Sequence, residues 1–195
     1  IIFIKAGEHE VEGYYEYEDD EDDDEFDREP YLVITYPMKI IGAGRDKTFI
    51  QGGGFEIQGV KEEGKEVVVQ DMTSRRAGRG LYAKNGLSFL CKDMTFTQCG
   101  NHGVYAWNTK GRLINCVITQ CGRSGIFSGS NALIELEGDQ TKVDGNGTSG
   151  DGYFGLTTWD TSSIIHLLFP LTKESVSTNN HGGRNYGSDF GGTIE

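Results

Sequence analysis

Proline is scarce, with 3 residues in 195, and so are histidine (4), methionine (3) and tryptophan (2). Few prolines mean few enforced breaks in ladders of backbone hydrogen bonds. With 29 glycines beside them, the composition is that of a fold with many turns and few interruptions. No stretch of helical length places apolar residues at i, i+3, i+4 and i+7, which argues against helical bundles and helical repeats. No apolar run is long enough for a membrane span, and no targeting segment is visible. The four cysteines lack zinc-ligand spacing and the histidines are scattered, so no structural metal is expected.

A basic excess is missing too. Most of the net charge of −12 comes from one place: residues 16–29 hold eleven acidic side chains and one Arg, a net of −10, whereas residues 30–195 hold 16 basic and 16 acidic side chains. A neutral body with an acidic segment disfavours nucleic acid as a partner. Residues 14–30 read as a solvated loop insertion, because a run of carboxylates has no apolar surface to bury. Clustered carboxylates are hard oxygen ligands, so Ca²⁺ or a basic partner is the functional reading of this loop. A solubilising insertion is the expectation favoured, since the continuous run lacks the alternating spacing of a preformed site.

What is present is repetition. Val69-Gln70-Asp71-Met72-Thr73, Cys91-Lys92-Asp93-Met94-Thr95 and Leu113-Ile114-Asn115-Cys116-Val117 follow one another at a step of 22 residues. Thr97-Gln98-Cys99-Gly100 recurs as Thr119-Gln120-Cys121-Gly122, and Gly80-Leu81-Tyr82 as Gly103-Val104-Tyr105 and Gly125-Ile126-Phe127. Such a period marks a solenoid. Leucine-rich repeats need a Leu/Asn skeleton absent here. Each period instead holds short β-branched or aromatic runs between Gly, Asn and Asp, so three strands and their turns make one coil, and each strand pairs with its copy about 4.8 Å away.

The opening Ile1-Ile2-Phe3-Ile4-Lys5-Ala6-Gly7, the later Ile40-Ile41-Gly42-Ala43-Gly44 with Lys47-Thr48-Phe49-Ile50-Gln51-Gly52-Gly53, and the Asn/Asp-punctuated coils resemble the right-handed parallel β-helix (pectin-lyase-like) superfamily. The chain is most similar in flavour to uncharacterised right-handed β-helix repeat proteins of algae. The resemblance implies an all-β, single-stranded, right-handed parallel β-helix over residues 1–195 as one domain. It also implies that Asp71, Asp93 and Asn115 occupy an asparagine-ladder turn. Two of the three are Asp, and stacked carboxylates repel, so either one keeps its proton or both bond to backbone amides. Cys99 and Cys121 share a place in consecutive coils and Cys91 and Cys116 face inward; four free thiols are expected, with a Cys99–Cys121 disulfide geometrically conceivable. Residues 138–152 read as a Gly-rich loop containing the sequon Asn146-Gly147-Thr148.

Alternation within the strands carries the functional reading. If Val104 and Ala106 face the core, Tyr105 and Trp107 face out, and the same logic puts Leu81, Ile126 and Leu156 inside. The outward set is then Tyr82, Tyr105, Trp107, Phe127 and Trp159, an aromatic strip flanked by a column of Arg79, Asn101 and Arg123, by His102 and Ser124, and by Asp160 and Asn108. By resemblance this strand borders the groove where polysaccharide-active members bind substrate. Rings with polar rims suit the C–H faces of sugars or a protein surface. A glycoside hydrolase needs two placed carboxylates, and the strip offers only Asp160 and Asp151; a lyase needs a base such as Arg79 or Arg123 opposite calcium-held uronate. The expectation is a non-catalytic binding or structural module for a polysaccharide or protein surface, with no catalytic residue and no cofactor. A carbohydrate-active enzyme and a self-assembling surface or filament protein, associating end to end or laterally, are the alternatives. An extracellular or cell-surface setting is favoured.

Overall fold

The computed structural model describes residues 1–12, 30–60, 63–150 and 152–195. The acidic insertion read at 14–30, and the calcium reading attached to it, therefore lie outside the described residues apart from Pro30.

An opening coil contains β1 (Ile2–Phe3), β2 (Gly7–Glu10) and β3 (Tyr31–Ile34), and the next contains β4 (Lys39–Ile41), β5 (Thr48–Gln51) and β6 (Gly54–Gln58). In the following two coils the first two strands run together as β7 (Glu66–Arg75) and β9 (Ser88–Thr97), each followed by one more strand, β8 (Leu81–Lys84) and β10 (Val104–Trp107). Three further coils follow: β11 (Lys110–Ile114), β12 (Val117–Thr119) and β13 (Ile126–Gly129); β14 (Leu133–Glu137), β15 (Lys142–Asp144) and β16 (Leu156–Thr158); β17 (Ile164–Leu167), β18 (Ser177–Thr178) and β19 (Tyr186–Ser188). β20 (Thr193–Ile194) closes the chain against β17. The pairings from coil to coil are parallel, so the molecule is a right-handed parallel β-helix. A 13-stranded sheet covers two of its faces and a 7-stranded sheet, β3–β6–β8–β10–β13–β16–β19, forms the third.

The register matches the repeat. Val69 pairs with Cys91 and Cys91 with Leu113, each a step of 22; the step is 23 from Leu113 to Leu136 and 31 from Leu136 to Leu167, where the turns lengthen. Asp71, Asp93 and Asn115 fall level with one another at left-handed bends, φ 60°, 50° and 52°, a conformation that Asn and Asp adopt more readily than other side chains. The hydrogen bonds of the two carboxylates come from side chains and not from backbone amides. Asp71 accepts a hydrogen bond from its neighbour Gln70 (2.5 Å), Asp93 from Arg45 (3.4 Å), and Asn115 Oδ1 from the Gln140 amide (3.4 Å). Each side chain finds its own partner, so no ladder forms.

The amide ladder lies elsewhere. The inward column of Ala77, Cys99 and Cys121 continues as Asn146 and Asn180, and Asn146 Nδ2 donates to Ile118 O (3.0 Å) and Asn180 Oδ1 (3.1 Å). Asn180 Nδ2 in turn reaches Val143 O and Asn185 Oδ1 at 3.2 Å. The same contacts bear on the sequon and correct the reading of 138–152 as one loop. Asn146 is 0% exposed and its amide is spent, so the sequon has no accessible acceptor. The stretch read as one loop at 138–152 is crossed by β15, because Val143 points inward between two polar neighbours and pairs with Ile118.

The core is a stack of inward columns, such as Leu81, Val104, Ile126 and Leu156, all fully buried. All four cysteines are free and buried among them. Burial pushes the Cys116 thiol up to about 12 and the Cys91 thiol well upward, so both stay neutral and act as small apolar groups. At or just ahead of the starts of strands in the 7-stranded sheet, Gly54, Gly80, Gly103, Gly125 and Gly155 form a column where adjacent coils touch. A Cβ on Gly103 would sit 2.3 Å from Ile118 Cγ2 and 2.8 Å from Gly125 O. One turn of helix, α1 (Lys173–Val176), interrupts the last coil. A capping box starts it, Ser175 N donating to Thr172 Oγ1 (3.2 Å) and Thr172 N to Ser175 Oγ (3.0 Å). It is too short to leave an apolar periodicity.

Candidate functional site

The outer face of the 7-stranded sheet gathers the aromatic residues. Tyr82, Tyr105 and Phe127 stand in register on β8, β10 and β13, while Lys84, Trp107 and Gly129 form the parallel outward column. Their inward neighbours Leu81, Val104, Ile126 and Leu156 are buried, as alternation requires. The rings make a continuous row along the helix axis: Tyr31–Tyr82 at 6.1 Å between centroids, Tyr82–Tyr105 at 5.3 Å, Tyr105–Phe127 stacked at 4.7 Å, Phe127–Trp159 at 6.2 Å and Trp159–Phe190 at 4.9 Å. Trp107 stacks beside Tyr105 (6.2 Å, 11°), and its indole occupies the space that a side chain at Gly129 would need, a Cβ there meeting Trp107 Cε3 at 2.7 Å. Tyr31 reaches the row because Gly54, its partner on β6, has no side chain.

The sequence reading missed Tyr31, Tyr153 and Phe190. Tyr31 stands at the edge of the acidic run, Tyr153 in a Gly-rich turn and Phe190 outside the regular repeat, so coil spacing gave no signal for any of them. The strip is also less open than alternation suggests. Phe127 is 9% exposed, covered by Tyr105, His102 and Trp159; the exposed aromatic surface increases toward Trp159 (39%) and Phe190 (73%).

The flanking polar groups differ more from expectation. Asn101 and His102, read as surface groups beside the strip, are buried. Arg79 lies level with His102 and Ser124, not with Asn101 and Arg123, because the turn from Ala77 to Gly80 is one residue shorter than that from Cys99 to Gly103. The guanidinium of Arg79 covers Tyr82 (4.8 Å) and Tyr105 (5.4 Å), and that of Arg123 covers Tyr153 (5.4 Å). Lys84 pairs with Glu56 at 2.8 Å and lies over Tyr82. Cation–π contacts of this kind hold the long side chains along the rim of the strip.

His102 sits among the rings of Tyr105, Phe127 and Tyr153, at 5.4, 5.1 and 6.5 Å. Burial, with Arg79 and Arg123 adding repulsion, lowers its pKa from 6.5 to about 3. Between those values the unfolded chain binds a proton that the folded chain refuses, so stability should fall as the pH drops from about 6.5 toward 3. The slope is at most about 1.4 kcal/mol per pH unit. Denaturant melts at pH 7 and pH 4 check this. His102→Phe, which keeps a ring in place, should lose less stability between those two pH values than the parent; equal losses would show that His102 is not the acid-sensitive group.

The acids needed for hydrolysis are not gathered at the strip. The Asp160 carboxylate accepts from Ser162 N (2.9 Å), from Ser162 Oγ and from Ser130 N, and these bonds, the Ser162 hydroxyl first, lower its pKa to about 2. It holds two adjacent turns together and stays ionised at neutral pH, which does not suit a proton donor. Asp151 lies outside the described residues. Among the described residues, no three His, Cys, Asp or Glu side chains are grouped to hold a metal ion, and no helix is long and apolar enough to cross a membrane.

A family model described as a right-handed beta helix region matches residues 42–168, from the second coil to the end of β17. No curated protein and no solved structure matches the chain.

Proposed function

The chain belongs to the right-handed β-helix family, and from that premise we propose that it is a non-catalytic binding module presenting its aromatic strip to a polysaccharide. The continuous row of six rings from Tyr31 to Phe190 supports this reading. Its centroid steps of 4.7–6.2 Å follow the coil spacing, and every ring of the row except Phe127, which its neighbours cover, is at least partly open to a linear ligand lying along the axis. Ring faces offer apolar contact to the C–H faces of sugars, while the Tyr hydroxyls, the Trp indole N–H groups and the rim cations Arg79, Lys84 and Arg123 offer polar contact. The likeness of the opening coils to pectin-lyase-like proteins points the same way. Enzymatic action on the glycan has less support, because the Asp160 carboxylate is committed to holding turns.

Replacing Trp107 by Ala tests the proposal. Binding to a glycan identified on an array should weaken by roughly 1–3 kcal/mol, with little change in melting temperature, since an outward side chain leaves no buried cavity. A lowered melting temperature with unchanged binding would make the strip a structural stack. Cleavage of any polysaccharide by the unmutated chain, read by reducing-end and unsaturated-product assays, would promote the enzyme.

A further inference from the structure

Twelve described non-glycine residues have a left-handed φ; eleven are polar, and the twelfth is Phe190, at φ 61°. The register explains how unusual that is. Counting on from the paired strands, Phe190 occupies the turn position held in earlier coils by Asn85, Asn108 and Ser130, whose φ values are 49°, 51° and 51°, and then by Asp160, which is not left-handed. The first three side chains suit the left-handed bend, and Asn108 also bonds to Asn85 at 3.3 Å. A bulky ring at such a position is strained, and this one is also 73% exposed. Two unfavourable features therefore coincide at a residue that fills no part of the core.

The turn holds Phe190 in a defined place. Asp189 N donates to Thr158 O (2.8 Å), and the rings of Phe190 and Trp159 meet edge to face, 4.9 Å between centroids and 68° between planes. The two rings form an open corner at the exposed end of the strip. Counting on from the pairing of Thr158 with Ser188, Asp189 is level with Trp159 and Asp160 with Phe190, so each ring has an acidic residue beside it in the adjacent coil.

We infer that Trp159 and Phe190 form the principal sugar subsite of the strip, one ring taking the flat face of a pyranose and the other its edge, with selectivity for neutral glycans. This inference rests on the polysaccharide reading above and narrows it. Equatorial hydroxyls leave a flat C–H face for stacking, whereas an axial hydroxyl interrupts it, so gluco-configured sugars fit best. Asp160 and Asp189 repel a uronate carboxylate and so discriminate against acidic chains.

The test uses the full chain with cellohexaose as the neutral probe, mannohexaose, a β-1,4-mannan oligosaccharide with an axial 2-hydroxyl on each residue, as the axial-hydroxyl probe and oligogalacturonate as the acidic one, measured by calorimetry. Cellohexaose should bind most tightly. Phe190→Ala and Trp159→Ala should each weaken it about tenfold, as hot-spot aromatics do. Phe190→Gly should weaken binding equally while keeping or raising the melting temperature, because glycine relieves the left-handed strain. Normal cellohexaose binding by Phe190→Ala, oligogalacturonate binding as tight as cellohexaose, or a marked fall in the melting temperature of Phe190→Gly would each overturn the inference. Loss of affinity in Trp107→Ala but not in Phe190→Ala would overturn the corner alone and leave the strip standing. Absence of binding to every glycan would overturn both.

Discussion

Replacing Val104 by Asp is expected to leave no cooperatively folded protein at 25 °C. Val104 is fully buried between Leu81 and Ile126 in an inward column that continues to Leu156. A carboxylate placed there has apolar neighbours in the coils on both sides, and an uncompensated buried charge costs about 3–5 kcal/mol. A domain with about 5–15 kcal/mol of total stability can lose most of it to one such change. In a solenoid the damage also falls at an interface on which the flanking coils depend, because each coil is held mainly by its two neighbours. Loss of the cooperative thermal transition, followed by circular dichroism, is the expected observation. A melting temperature close to that of the parent would show that this strand does not turn Val104 toward the core.

The second large effect concerns Gly111. Its position on β11 faces the interior opposite Phe89 on β9, and a Cβ there would lie 2.1 Å from the Phe89 ring. The large ring of one coil thus fills the space left by the missing side chain of the next. Gly111→Ala should destabilise by roughly 1–3 kcal/mol through overpacking, even though alanine suits a strand better than glycine does. Phe89→Leu should be destabilising alone for the opposite reason, an unfilled volume. Combined, the two substitutions should cost clearly less than the sum of the single losses, as expected for residues that share one space. Additive losses in a double-mutant cycle would mean that glycine is required at 111 for backbone reasons and not to accommodate the ring.

The two predictions differ in what they needed. Val104 was legible as an inward residue before any coordinate, because Val104-Tyr105-Ala106-Trp107 alternates and its copies at Leu81 and Ile126 alternate with it. The Gly111–Phe89 pair was not, because complementary volumes in adjacent coils appear only when the register is known to the residue. The same division runs through the site. Tyr82, Tyr105, Trp107, Phe127 and Trp159 sit in repeats, and their common face could be counted out. Tyr31, Tyr153 and Phe190 sit in turns or irregular coils, where spacing along the chain says nothing about proximity. Asn101 and His102 were placed at the right turn but assigned to solvent, because strand alternation does not extend into a turn and cannot show which side chains the neighbouring coils cover.

By itself the sequence determined the architecture. A 22-residue period of short strands allows each strand to pair with its own copy, and a period-two pattern of side chains settles which face is buried, so the parallel solenoid and its aromatic face follow from local rules repeated. The tertiary structure decided what local rules leave undetermined. It placed the amide ladder at Asn146 and Asn180 instead of at Asp71, Asp93 and Asn115, because a buried amide needs acceptors that only the adjoining coils bring within reach, whereas the carboxylates of Asp71 and Asp93 found Gln70 and Arg45 nearer to hand. It committed Asp160 to holding two turns, kept His102 neutral through burial beside two guanidiniums, and set Phe190 on a strained turn against Trp159. Each of these depends on distances between residues far apart in the chain, and such distances are set by coil stacking and turn length, not by the composition of any one repeat.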